Sequence, residues 1–122
     1  MALEIIRLSE KAKQQLITLK KRTGIENWNI LCRWALCVSL AEKTVPPHED
    51  IITDSNIEMT WKTFTGEYSE AYLAIIKQRI YQDYGSLASD INPDYFVKLH
   101  LHRGVSYLLN RVESIDSLCN LI

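Results

Sequence analysis

The stretch Leu3–Gly24, LEIIRLSEKAKQQLITLKKRTG, sets the fold. Its first six residues, Leu3 to Leu8, are short, apolar and β-branched and end at Ser9, which predicts one N-terminal strand. Ser9 is then an N-cap for a helix through about Arg22, and Gly24 just beyond is its C-terminal stop. Ala12, Leu16 and Leu19 recur at i, i+4 and i+7, so they form the face that must be buried, with Ile17 beside it. Lys20, Lys21 and Arg22 crowd the last turn, where cations complement the negative end of the helix dipole. One or two cations suffice for that, and here three follow one another with Lys11 and Lys13 upstream.

Outward from this stretch, Asn27 caps a second helix running to about Glu42. Ile30, Leu31, Trp34, Ala35, Leu36, Val38, Leu40 and Ala41 cover nearly all its directions and leave a narrow stripe at Asn29 and Arg33. Such a helix is buried centrally or between subunits. Lys43 to Asn56, with Pro46-Pro47, reads as an acidic loop, and the alternation of Ile57, Met59 and Trp61 with Glu58, Thr60 and Lys62 predicts a second short strand. Tyr68, Tyr72, Ile75, Ile76 and Ile80 mark a third helix ended near Gly85. Asn92-Pro93-Asp94 is a start signal, an N-cap followed by proline at the first helical position, for a fourth helix to about Val112. Ser114 to Ile122 has room for one more turn or two. The fold class is therefore mainly α with a short N-terminal strand and one further short strand, in a single domain over residues 1–122.

The chain has 122 residues, 47% hydrophobic and 24% charged, which is the composition of a folded globular protein. Its longest nearly apolar run, Trp34 to Ala41, is too short to span a bilayer, and Met1-Ala2-Leu3-Glu4 opens neither a basic nor a long apolar leader. The expected location is the cytoplasm. Cys32 and Cys37 lie five apart, about 140° around a helix, so they diverge and read as small buried thiols. His100 and His102 point about 200° apart on a helix and cannot hold one metal together, which predicts one packed and one solvated histidine. Gly104 inside the same helix costs about 1 kcal/mol relative to alanine and so permits a close helix contact. Asp54, Glu58 and Lys62 read as a solvated acidic face, and the isolated glycines Gly24, Gly66, Gly85 and Gly104 form no phosphate loop. No cofactor motif and no catalytic constellation is legible, so the expectation is a protein that is not an enzyme.

Charge carries the functional signal. The formal net charge of −1 hides a dipolar chain. Met1 to Arg22 holds six basic residues (Arg7, Lys11, Lys13, Lys20, Lys21, Arg22) against Glu4 and Glu10, whereas Glu42 to Thr60 sets Lys43 against Glu42, Glu49, Asp50, Asp54 and Glu58. Lys11, Thr18, Lys21 and Arg22 share one side of the first helix with Gln14, while Lys13 and Lys20 lie on another flank, all off the Ala12–Leu16–Leu19 face. The cations have few acidic partners four residues on, so they are not neutralised locally. A charge run of this kind ordinarily reads as a solvated helix exterior. The missing local partners, and the multiplication of the patch that an oligomer would bring, favour phosphate binding through counterion release, without sequence readout. The candidate DNA contacts are Arg7, Lys11, Lys13, Lys20, Lys21 and Arg22, with Arg33 in reserve on the second helix.

Three long stretches also carry a resemblance: Ile6 to Leu16 (IRLSEKAKQQL), Arg22 to Asn29 (RTGIENWN) and Leu31 to Ala35 (LCRWA). With Met59-Thr60-Trp61-Lys62, Phe64-x-Gly66-Glu67-Tyr68 and Leu99-His100-Leu101-His102-Arg103-Gly104, the chain resembles the DndE family of DNA sulfur modification proteins. The resemblance thins beyond Leu108. It implies membership of the Dnd system, which replaces a non-bridging phosphate oxygen in bacterial DNA with sulfur. It also implies a homotetramer that prefers nicked duplex through a lysine-rich surface. The sulfur chemistry then falls to partner subunits, namely a cysteine desulfurase, an iron-sulfur adenylating protein and an ATPase. The strand–helix–helix order of residues 3–42 resembles ribbon-helix-helix repressors as well, in which two strands pair across a dimer axis and enter the major groove. Here Ile5 and Ile6 leave only Glu4 and Arg7 to read bases. A repressor, or an assembly scaffold acting through the acidic 42–60 segment, is the alternative function.

Overall fold

A computed structural model describes residues 3–121; Met1, Ala2 and Ile122, which belong to the expected domain and its tail, lie outside the described residues. The N-terminal strand is β1 (Ile5–Arg7), and it pairs antiparallel with β2 (Glu58–Thr60), placing Ile6 opposite Met59 and Arg7 opposite Glu58. Ile6 and Met59 turn inward while Ile5, Arg7, Glu58 and Thr60 face out, as the period of two requires. Both expected strands are present, each cut to three residues. The second is shortened because the Thr60 hydroxyl accepts the Thr63 N–H at 3.1 Å and caps α3 (Trp61–Thr65). Trp61 and Lys62, expected to continue the strand, are therefore helical.

Ser9 turns the chain into α1 (Glu10–Thr23), its hydroxyl accepting the Ala12 N–H at 3.1 Å. Asp54 takes the Glu10 N–H at 3.0 Å, so an acidic-loop residue completes that cap. Gly24 ends the helix at φ +76°, donating to the Lys20 carbonyl. Ala12, Leu16, Leu19 and Thr23 are the buried residues of α1.

The packing centre is the crossing of α2 (Trp28–Ala41) with α5 (Pro93–Arg111). A Cβ built on Gly104 would sit 1.7 Å from the Ala35 carbonyl oxygen, so the two backbones touch there, as the glycine within the helix predicts. Leu31, Cys32, Ala35 and Leu36 of α2 meet Phe96, Val97, Leu101, Val105 and Leu108 of α5 in one cluster that also takes in Leu8, Leu16, Leu19 and Phe64. The expectation of a helix buried nearly all round is corrected: only Leu31, Cys32, Ala35, Leu36 and Ser39 of α2 are buried, while Ile30, Trp34, Val38 and Leu40 are half-buried and Ala41 is exposed. Cys37 is the correction: it is exposed, because it lies on the side of α2 turned away from Cys32.

α4 (Ser69–Tyr84) is entered and left through short 3₁₀ turns, Gly66–Tyr68 and Gly85–Asp90, and α6 (Ile115–Cys119) starts at Ser114 and packs on α1 and α5. Among the described residues the fold is mainly helical with one two-stranded ribbon, its two strands coming from the same chain.

Candidate nucleic-acid interface

Every arginine is engaged inside the molecule. Arg79, buried, pairs with Asp83 at 3.0 Å and donates to the carbonyls of Leu40 and Glu42 at 2.6 Å and Thr44 at 3.2 Å. Arg103 donates to the Ser39 hydroxyl and carbonyl at 2.8 Å and to the Thr44 carbonyl at 3.0 Å. These two side chains satisfy the open carbonyls at the C-terminal end of α2, which carries no basic residue in its own last turn. Arg22 does the same for α5, donating to the Leu109 and Val112 carbonyls at 2.8 and 3.2 Å. Arg33 donates to the Phe64 carbonyl and, at 3.3 Å, to that of Thr63, tying α2 to α3. Arg7 pairs with Glu58 across the ribbon at 3.3 Å, and Arg111 with Glu42 at 3.5 Å. The planar guanidinium, with five donors in a fork, suits clustered carbonyls in a way an ammonium does not.

The lysines of α1 differ. Lys11 and Lys21 are exposed, Lys13 and Lys20 half-buried, and among the described residues none forms an ion pair. The Lys20 ammonium stands 4.0 Å from the ring centroid of Trp28, and Lys13 lines a groove with Trp28 and Glu58. Lys11 lies on the opposite flank, beside Pro46, Pro47, Glu49 and Tyr107. Of the seven candidate contacts, the structure brings Lys13 and Lys20 together at Trp28, with Lys21 next to Lys20 in the last turn of α1. It sets Lys11 apart and engages Arg7, Arg22 and Arg33 elsewhere. Trp28 and its groove are what sequence reasoning missed. The signal was present in Trp28 directly after the cap residue Asn27, one turn beyond the lysine run.

The two histidines sort differently from expectation. His100 is fully buried, its Nδ1 2.8 Å from the Ser39 hydroxyl and its ring 4.4 Å from that of Phe96, and burial lowers its pKa to about 3. His102 is half-buried and not solvated: Nε2 accepts the Ser9 N–H at 3.1 Å while Nδ1 donates to the Lys98 carbonyl at 2.7 Å. Burial lowers its pKa too, so both rings are neutral. The Cys32 thiol, buried, is pushed up to about 12 and is inert as a thiolate. Burial also raises Cys37, against a smaller opposing effect of the Tyr72 hydroxyl. Among the described residues no group of three or more His, Cys, Asp or Glu is placed to hold a metal ion. No helix among them is long and apolar enough to cross a membrane.

Fold and site together define a small helical protein that uses its arginines as internal ties and presents lysines on one helix. The chain belongs to the DndE family, described as DNA sulphur modification protein DndE, whose model matches residues 5–116. Its fold is similar to that of a crystal structure of DndE from Escherichia coli B7A, described as involved in DNA phosphorothioation modification. That match has 24% identity and a TM-score of 0.69 and covers 88% of this chain and 98% of the other. It is also similar to a glycine-to-lysine double mutant of DndE, at 21% identity and a TM-score of 0.63, covering 88% of this chain and 97% of the other. No curated protein matches the sequence.

Proposed function

We propose that the chain is a non-catalytic, DNA-binding component of the DNA sulphur modification system, holding duplex by its phosphates as a homo-oligomer. The observation that carries this reading is the contrast just described: among the described residues Lys13, Lys20 and Lys21 of α1 form no ion pair, while every arginine has a partner within the chain. Lys11 adds charge from the other flank. Repetition of the flank in a homotetramer would give the several phosphate contacts that non-specific affinity needs. The exposed Ile75, on a side of α4 that also carries Ala71, Ala74 and Gln78, offers an uncharged surface for subunit contact. Nicked duplex is the preferred substrate in this reading. The cysteine desulfurase, the iron-sulfur adenylating protein and the ATPase of the system are the protein partners and supply the chemistry.

The repressor alternative draws less support. The outer face of the ribbon offers Ile5, Arg7, Glu58 and Thr60, and its one cation is paired with its one carboxylate. The scaffold alternative is weakened in the same way. Glu42 and Glu58 form ion pairs and Asp54 caps α1, so three carboxylates of the 42–60 segment already have partners.

Titration of random-sequence duplexes, intact and nicked, against a palindromic promoter-like duplex tests the reading. It expects micromolar or tighter binding at low salt, steep loss with added salt, and no sequence preference. A preference above about 10³ for one sequence would transfer the function to the repressor class. Light scattering at micromolar concentration should show no monomer.

A further inference from the structure

Between α1, the start of α2 and β2 runs a groove of about 460 Å³, within the roughly 300–1,000 Å³ typical of small-molecule sites. Its wall holds the half-buried Trp28 and the side chains of Asn27, Asn56 and Thr63. Its charged members are Lys13, Glu26 and Glu58, so the groove itself carries no positive excess and does not suit a phosphate. The lysines that do suit one, Lys20 and Lys21, stand in the last turn of α1, Lys20 against Trp28. Neutral amide groups, carboxylates and an indole are the chemistry that receives a nucleobase. Amides and carboxylates meet base-edge donors, and the ring takes the flat face. Asn27, although it stands at the cap position of α2, makes no cap hydrogen bond with its side chain, so its carboxamide is uncommitted there.

One face of Trp28 carries the Lys20 ammonium, which does not itself line the groove. The ammonium stands 4.0 Å from the centroid, a contact that is weak where solvent reaches.

We propose that this groove takes one unpaired nucleobase at a strand break, stacked on Trp28, while Lys20 and Lys21 hold the backbone beside it. The proposal rests on the DNA-binding reading and deepens it, because lysines alone attract nicked and intact duplex equally. At a break the terminal base is still paired, but the backbone no longer holds it on one side, so it leaves the stack at lower cost than a base inside an intact duplex.

The test uses the whole chain and a nicked duplex carrying one extra, unpaired 2-aminopurine nucleotide at the nick. Base fluorescence is the readout, since Trp34 and Trp61 would obscure indole emission. Binding should quench the 2-aminopurine. Trp28→Phe should retain most of the quenching, and Trp28→Ala should lose it together with about 5- to 150-fold of the preference for the flapped duplex, the worth of one stacked base. Affinity for intact duplex should change by less than about twofold. Asn56→Leu, at an exposed rim position, keeps the test open should Trp28→Ala not fold, and it should abolish the quenching by filling the groove. Bound flapped duplex whose 2-aminopurine stays bright would overturn this proposal alone, as would equal weakening of intact and flapped duplex by Trp28→Ala. Failure of the wild-type chain to bind even intact duplex at low salt would overturn the DNA-binding reading and this one with it.

Discussion

The end of α2 and the outer flank of α1 use positive charge in opposite ways. At the end of α2, Arg79 and Arg103 converge on the carbonyls of Ser39, Leu40, Glu42 and Thr44. On α1, Lys13, Lys20 and Lys21 are held by no carboxylate among the described residues. A count of basic residues treats the two regions alike. The difference lies in side-chain chemistry: a guanidinium loses little by desolvation when several carbonyls surround it, whereas an ammonium keeps its hydration and remains available for exchange with a ligand. Charge near the core thus reports on the fold, and charge on the lysine flank on binding.

The first way to break the contrast is to destroy the region that holds the arginines in place. Gly104→Ala adds a Cβ within 1.7 Å of the Ala35 carbonyl oxygen, at backbone that cannot swing aside as a side chain would. The gain in helix propensity, about 1 kcal/mol, is overwhelmed by the forced separation of α2 from α5. A loss of about 3 kcal/mol or more in urea denaturation, or no soluble protein, is expected. A variant as stable as wild type would mean the helices cross elsewhere. Arg79→Met sits one step lower. It strands the Asp83 carboxylate, whose side chain is 6% exposed, and unties three carbonyls, so a loss of about 3 kcal/mol is expected. DNA binding by whatever folds should keep its salt dependence.

Acid offers a milder perturbation of the same core. His100 and His102 are neutral in the fold, with pKa values pulled below the ordinary 6.5 by burial, to about 3 for His100. The unfolded chain therefore takes up protons first as the pH falls. Their contribution to stability is complete above about pH 6.5 and declines below it, by up to about 1.4 kcal/mol per pH unit for each histidine. Denaturation midpoints compared at pH 7.5, 6 and 5 should show the fall, and His100→Gln should flatten it. Constant stability across that range would mean that the rings are reached by water.

Much of this fold was legible because its signals are local. Ser9, Gly24, Asn92 and Pro93 punctuate the chain where the helices begin and end, and Gly104 announced the crossing. The short helix α3 was misread because Thr60 interrupts an alternating pattern with a cap, and a cap depends on one hydroxyl bond that periodicity does not register. The site was legible only by charge. Arg22 and Lys21 are neighbours in sequence, yet the carbonyls that claim Arg22 come from residues 87 and 90 positions away. No local reading separates the two. His102 shows the same limit, since the group that removes it from solvent is the Ser9 N–H, 93 residues earlier.

That neighbouring pair supplies the finest test. Lys20→Ala with Lys21→Ala should change stability by no more than about 1 kcal/mol. Alanine improves helix propensity, while the lost dipole compensation, roughly 0.3–1 kcal/mol per charge, and the exposed contact with Trp28 act against it. Its effect on DNA should be specific: each lost phosphate contact flattens the slope of log K against log salt by about 0.9. Arg22→Ala should do the reverse. It leaves the Leu109 and Val112 carbonyls at the end of α5 without their donor, at a cost of about 1–2 kcal/mol in stability, and should leave the salt slope as it was. Measured side by side, the two variants separate adjacent cations by role. If instead Arg22→Ala flattens the slope, the guanidinium exchanges carbonyls for phosphates on binding and the division between arginines and lysines is not strict. If the lysine variant folds and keeps both affinity and slope, the flank is a solvated helix face, and Lys11, across the helix beside the acidic loop, becomes the cation to examine.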